Sequence, residues 1–284
     1  MQCDPPPGVP ESNAVRAHYA RAALARTILE ATALPSDSAT GIDAKALAPV
    51  DEFHVRGREA TLELARAASL ATSDRVLDVG CGLGGASRCL ASVFGCHVVG
   101  IDLTPDYVET ARHLATHFGL GHRVRYECAD ALALPFRDAE FDVVWSQHAA
   151  MNIADKVGLY AEMYRVLKPG GRLALYDILA GENGKVRFPT PWARDPSISF
   201  LTKPDVLNRL LTAAGFCISS RRDTTELGRP CYRQMLQRMR ESGHPPLGFH
   251  LLMGDDFRAM ASNQLCNLEE NRIALVEVVA LKCI

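Results

Sequence analysis

The sequence predicts an α/β fold built on a doubly wound, mostly parallel, seven-stranded sheet, and three observations carry that prediction. Short β-rich apolar runs alternate with stretches of helical periodicity, a glycine-rich turn joins the first such pair, and the helical stretch Lys156 to Leu167 stops at Lys168-Pro169-Gly170-Gly171. Repeated strand then helix means parallel strands with helices on both faces, because each crossover lays its helix back on the sheet.

The strands are predicted at Val76 to Val79, His97 to Ile101, Val124 to Cys128, Val143 to Ser146, Leu173 to Asp177, Phe216 to Arg221 and Arg272 to Cys283. Between them, Ala86 to Phe94, Pro105 to Phe118, Lys156 to Leu167 and Lys203 to Ala214 carry helical spacing, the last ending at Gly215. Ahead of the first strand, Ala14 to Leu34 places Val15, Tyr19, Ala23, Leu24, Ile28 and Leu29 on one face of a single amphipathic helix. A polar loop over Pro35 to Thr40 follows it, and Arg58 to Leu70 forms a further helix. The proline-rich start predicts a disordered tail over 1–12, followed by an N-terminal helical cap over 13–72 and the main domain over 73–284. Two inserts interrupt that domain. Residues 181–202 form a long proline-interrupted loop, expected to be a lid or a binding wall, and residues 228–267 are largely helical.

Composition narrows the classes of function. The formal charge of the 284 residues is only -2, and the basic residues form no run, so nucleic acid is not an expected partner. No apolar stretch approaches the roughly 20 residues that cross a bilayer, and the N-terminus lacks the parts of a secretory signal, which predicts a cytoplasmic protein without membrane contact. The nine cysteines form no C-x-x-C pair. Cys89, Cys96, Cys217 and Cys283 sit among apolar neighbours and read as buried thiols, neither disulfides nor metal ligands.

The chemistry concentrates at Asp78-Val79-Gly80-Cys81-Gly82-Leu83-Gly84-Gly85, between a strand and a helix. Glycines there turn the chain tightly and let a ligand approach the backbone, while the helix start offers N–H groups to an anion. Gly80, Gly82 and Gly85 also satisfy G-x-G-x-x-G, which on its own fits a dinucleotide equally well. Asp102, 22 positions after Gly80, suits ribose hydroxyls in either case. Asp78 discriminates: a carboxylate at the strand's end attracts an ammonium group and repels a pyrophosphate. Asp130, after the third strand, is placed to accept from an adenine amino group, with Ala131 and Leu132 beside the ring, although it also suits a turn.

Val76 to Gly85, Gly100-Ile101-Asp102-Leu103-Thr104, Asp130 to Phe136, Phe141-Asp142 and Arg165 to Gly171, taken together, resemble the ordered motifs of class I methyltransferases. The resemblance covers about 75–180. It implies a Rossmann-like sheet whose last strand is antiparallel, S-adenosyl-L-methionine as cofactor, and cofactor contacts at Asp78, Gly80, Gly82, Asp102, Leu103, Asp130 and Ala131. Asp51 to Gly57, Pro189 to Ala193 and Ile198 to Leu201 are similar to a narrower group, the sarcosine and dimethylglycine N-methyltransferases. In that group and in related tocopherol-type enzymes the segment matching Ser146-Gln147 touches the methionine end of the cofactor, which adds Gln147. This sequence departs from the group at His148-Ala149-Ala150-Met151-Asn152, where the group has an acidic residue and aromatics.

Methyl transfer needs an acceptor held about 3 Å from the activated carbon and water kept out. The acceptor is expected to be a small molecule, an amine nitrogen ahead of an oxygen or carbon of a secondary metabolite. His148 is the candidate catalytic base for a hydroxyl, or else a hydrogen-bonding residue of the cofactor shell or core. Trp192, Met151 and Asn152 are the candidate substrate contacts, Trp192 being either a wall of the site or a plug on the sheet edge. His54 and Arg56 either cover the cofactor's carboxylate or serve a turn. His113 and His117 lie one helical turn apart without a third ligand, so no metal is expected. The alternatives of another class are a nicotinamide oxidoreductase and a non-catalytic cofactor-binding protein. A monomer or homodimer is expected.

Overall fold

A computed structural model of the chain describes residues 10–20, 24–31 and 47–283. The predicted loop over Pro35 to Thr40 lies outside the described residues, as do residues 1–9 of the predicted tail. Helix α1 (Pro10–Tyr19) already begins inside that predicted tail. The single helix expected over Ala14 to Leu34 is instead two, α1 and α2 (Leu24–Ala31), with Ala20 outside both. Each half has its own partner. His18 and Tyr19 of α1 hydrogen-bond to Pro191 and Asn152, whereas α2 buries Leu24 and Ile28 and packs against the helix at Pro105–His117. Two short elements complete the N-terminal region, α3 (Ala48–Asp51) and α4 (Gly57–Ala67).

All seven predicted strands are present: β1 (Arg75–Val79), β2 (His97–Asp102), β3 (Val124–Cys128), β4 (Phe141–Gln147), β5 (Leu167–Ala180), β6 (Phe216–Asp223) and β7 (Ile273–Lys282). They form one sheet in the order β3-β2-β1-β4-β5-β7-β6. The pairs among β1 to β5 are parallel, and β7 runs antiparallel to both β5 and β6. β5 begins earlier than expected, at Leu167, because Lys168 to Gly171 are absorbed as an irregularity between the pairs Phe141–Leu167 and Val143–Arg172.

The period of two along each strand divides the core. Val76, Val98, Val124, Val143 and Trp145 face α4, the helix α5 (Gly85–Cys89) with its π-type continuation Leu90–Phe94, and α6 (Pro105–His117). Leu77, Val99, Val144, Leu173 and Leu175 face α7 (Lys156–Val166) and α8 (Pro204–Ala213). Local sequence starts these helices: Pro105 lies in the first turn of α6, and the Asp155 side chain accepts from Gly158 N at 2.8 Å at the start of α7. The late insert is helical, comprising α9 (Thr225–Ser242), α10 (His250–Met253) and α11 (Phe257–Glu269).

The reading of the cysteines needs one correction. Cys217 and Cys283 form a disulfide, with their Cα atoms 6.1 Å apart. Antiparallel pairing of Cys217 with Leu281 brings the β6 start beside the β7 end, a long-range register that the apolar neighbours of each cysteine do not reveal. Cys89 and Cys96 are free and buried. Among the described residues no helix is long and apolar enough to cross a membrane, and no group of His, Cys, Asp or Glu is arranged to hold a metal. His113 is exposed beside Glu109.

Candidate active site

The strand order reverses between β1 and β4, and a cleft of about 390 Å³ opens at the carboxyl ends of the strands there. Because β3, β2, β1 and β4 are neighbours, residues far apart in sequence stand in a row along it: Asp130 after β3, Asp102 ending β2, Asp78 in β1 and Gln147 ending β4. Gly80, Gly82, Leu103, Ala131, His148, Met151 and Asn152 also line it.

The glycine turn is built for close approach. Gly80 has φ +77°, and a Cβ there would sit 2.4 Å from the Ala149 methyl, so this glycine lets the β1 and β4 ends meet. At Gly82, φ is +54° and a Cβ would have no atom within 4 Å, so its bare backbone borders open space in the cleft.

Asp78 is 2% exposed, and its Oδ2 accepts from Ser87 Oγ at 2.5 Å. Burial pushes its carboxyl up to about 7; the Ser87 bond opposes that shift and the Asp102 charge reinforces it. Asp102 is pushed up by burial as well, while its oxygens accept from Gly82 N and Thr104 N, both at 2.9 Å. Asp130 Oδ1 accepts from Leu132 N at 2.9 Å, so this residue both shapes a turn and lines the cleft. The cation behind the glycine turn is spoken for: Arg88, 1% exposed, is paired with the buried Asp51, which ties α3 to that turn. No Lys or Arg is found among the described residues lining the cleft.

Gln147 is held by its oxygen. Trp145 Nε1 donates to Oε1 at 3.1 Å and Thr61 Oγ1 donates to it at 3.2 Å, which leaves Nε2 buried and without a partner among the described residues. Thr61 Oγ1 also lies 3.0 Å from Glu52 Oε2 and 3.0 Å from His54 Nε2. Burial pushes Glu52 up to about 7, with the Asp51 charge adding to it, and pushes His54 down to about 4. His54 therefore reaches the cleft as a neutral ring. Arg56 does not reach it, because its guanidinium turns to Glu63, at 2.7 and 3.0 Å, and to Glu277.

His148 adopts φ +50°, its backbone N–H donating to Tyr176 O at 2.7 Å. Its Nε2 is buried without a partner among the described residues, and burial, with His54 adding, holds its pKa well below the usual imidazole range. The Asn152 side chain is committed elsewhere. Nδ2 donates to Trp192 O and Ile198 O at 2.9 and 2.7 Å, and Oδ1 accepts from Tyr19 at 3.0 Å.

Those bonds sew down the 181–202 loop expected to be a lid, as do Asn267, Asn263 and His18 through Arg187, Pro189 and Pro191. Trp192 is 1% exposed, donates to Ser199 Oγ at 2.9 Å, and stays outside the main cleft. It lines a smaller inner pocket that shares Phe53, His54, His148 and Met151 with the cleft. Sequence reasoning missed Tyr19, Asp51, Phe53, Thr61 and Gln264. Only Asp51 and Phe53 lay in a segment with any signal, since the others sit on helices with no motif of their own.

Comparison with known proteins agrees with this geometry. Residues 77–175 match the family model described as a methyltransferase domain. Tocopherol O-methyltransferase of Arabidopsis thaliana is 45% identical over 101 residues, which is 36% of this chain and 29% of that protein. Glycine/sarcosine/dimethylglycine N-methyltransferase of Actinopolyspora halophila is 27% identical over 219 residues, 77% of this chain and 38% of that protein. The chain thus spans well under half the length of these two relatives. The crystal structure of the cyclase SpnF superposes with a TM-score of 0.70 at 23% identity, covering 99% of this chain and all of that one, which is a likeness of fold. S-adenosylmethionine combines an ammonium, a sulfonium and a carboxylate, and the cleft fits it. Asp78 and Asp102 are acidic groups in a lining with no Lys or Arg among its described residues, the Gln147 amide has an unused N–H₂, and Gly82 leaves room for close approach. With its matching segment, its seven-stranded sheet and this cleft, the chain carries a class I S-adenosylmethionine-dependent methyltransferase domain.

Proposed function

We propose that the protein transfers the methyl group of S-adenosylmethionine to an uncharged small molecule, and that the acceptor atom is an amine nitrogen. The absence of any Lys or Arg from the described lining of a cleft that holds Asp78, Asp102, Asp130 and Asp155 carries this reading. Such a cleft attracts a cationic donor and repels the pyrophosphate of a nicotinamide cofactor. The same charge argument narrows the acceptor, because a glycine derivative would bring a second carboxylate beside the cofactor's own, which takes the Gln147 amide, and the described lining supplies no counter-ion for it.

The cofactor, when bound, supplies a methyl carbon activated by its sulfonium. The chain's part is positional. Asp130 accepts from the adenine amino group, Asp102 from the ribose hydroxyls, and Asp78 pairs with the ammonium at the far end of the row. Gln147 Nε2 donates to the carboxylate beside it. The N-terminal helices act as a cap, since Ser12, Val15 and Tyr19 of α1 and Asp51 of α3 complete the wall over the strand ends. Met151, Phe53 and Leu252 keep water from the acceptor's side. His148, neutral at physiological pH, orients an acceptor N–H or lone pair without taking a proton, since a group held well below the working pH makes a poor base. An amine also gains from the acidic lining as it becomes a cation.

The unpartnered Nε2 of His148 favours a second reading, in which the acceptor is a hydroxyl that gives its proton to that nitrogen. Purified protein with a labelled methyl donor and three acceptor sets separates the readings. Label in carboxylate-free amines is the expected result. Transfer to glycine derivatives refutes the charge argument, and transfer restricted to phenols moves the assignment to oxygen.

A further inference from the structure

Gln264 of α11 is fully buried, and neither its Oε1 nor its Nε2 has a partner among the described residues. A buried amide with both ends idle is costly unless something satisfies it. It lines the inner pocket, whose wall is mostly apolar and includes Phe53, Trp192, Tyr232 and Phe249 with the imidazoles of His54 and His148. No Asp, Glu, Lys or Arg is found among the described residues of that lining. The free space is about 20 Å³, enough for one group the size of a water molecule and too small for a ring.

We infer that Gln264 reads the methyl acceptor, the inner pocket taking one uncharged hydroxyl of a molecule whose body lies in the main cleft. A hydroxyl is a water-sized group that both donates to Oε1 and accepts from Nε2, and it displaces a water molecule that would otherwise bridge the two. A carboxylate offers no proton to Oε1 and brings a charge that no cation in the lining balances, and a methyl group leaves both ends of the amide idle. The acceptor's reacting end stays beside His148 and Met151, which border both spaces. This inference rests on the proposed function and gives its acceptor a second recognition point.

The test uses protein saturated with S-adenosylhomocysteine and three probes that share one phenyl ring: benzyl alcohol, toluene and benzoate, titrated by NMR. The expected result is that benzyl alcohol binds at least about tenfold more tightly than toluene, with benzoate weakest, as one satisfied donor and acceptor pair implies. Gln264→Leu should abolish or reverse the preference for the alcohol over toluene while leaving calorimetric affinity for S-adenosylhomocysteine unchanged. Equal binding of alcohol and toluene to the wild-type protein overturns the inference, and so does binding of no probe. The wild-type comparison decides even if the variant does not fold. Failure to bind S-adenosylhomocysteine would instead sink the proposed function, so the two failures are distinguishable.

Discussion

Replacing Asp78 by Asn should move cofactor affinity and protein stability in opposite directions. The carboxyl is 2% exposed and its pKa is raised to about 7 in the free protein. A carboxyl raised in the folded state is neutral in both states at low pH. As pH rises above the ordinary value of 3.8 the unfolded chain ionises first, so stability falls until the folded group ionises near 7. Three pH units at about 1.4 kcal/mol each put an upper limit of about 4 kcal/mol on the cost above pH 7. Asp78→Asn keeps an oxygen for Ser87 and does not titrate, so the variant should melt higher than wild type at pH 8 and equally near pH 4. Binding goes the other way, because removing one partner of a buried charge pair costs about 2–5 kcal/mol, a weakening of roughly 30-fold or more. Calorimetry with S-adenosylhomocysteine at pH 8 reads the loss. In the wild-type protein the same affinity should weaken as pH falls below 7, because the carboxyl must release a proton to meet the ammonium. Binding within threefold of wild type, or a lower melting temperature at pH 8, would refute the assignment of Asp78 to the ammonium group.

The other predictions concern the walls of the site. Gly82→Ala should fold with a loss of about 1–2 kcal/mol for its left-handed backbone and bind the cofactor product at least about tenfold less tightly, whereas Gly80→Ala should chiefly lower the melting temperature, since its methyl would meet Ala149. Asp51→Ala leaves the buried Arg88 unpaired and should cost about 3–5 kcal/mol in urea denaturation, with weaker cofactor binding as α3 leaves the glycine turn. Trp192→Ala should lose about 3–5 kcal/mol of stability, because this side chain is core; unchanged stability with weakened acceptor binding would contradict its burial. His148→Gln should lower turnover by less than about tenfold and leave the shape of the pH–rate profile at saturating cofactor as in the wild type, and a loss of about 10²-fold would make it the base.

How far the sequence could be read depends on the range of the interaction behind each feature. The acidic row along the cleft was legible because Asp78, Asp102 and Asp130 each lie at or just after a strand's end within a few residues of a turn, and parallel strands must put those ends on one edge. Asn152 was legible as a residue of the cleft but not as one whose side chain is consumed by Trp192, Ile198 and Tyr19, which lie 40, 46 and 133 positions away. The break between α1 and α2 was hidden for the same reason. One amphipathic pattern served two helices whose main contacts differ, α1 with the turn at 196–198 and α2 with α6.

The sequence by itself determined the alternation of strands and helices, the glycine turn and the acidic residues around it, since hydrophobic period, turn chemistry and charge act over a few neighbours. Only the tertiary structure decided that Arg56 turns to Glu63 and Glu277, that Trp192 is core, that Cys217 meets Cys283, and that Gln264 faces a pocket with its amide unpaired. Each of these depends on which distant segment packs alongside, and burial and pairing across such distances have no local signature.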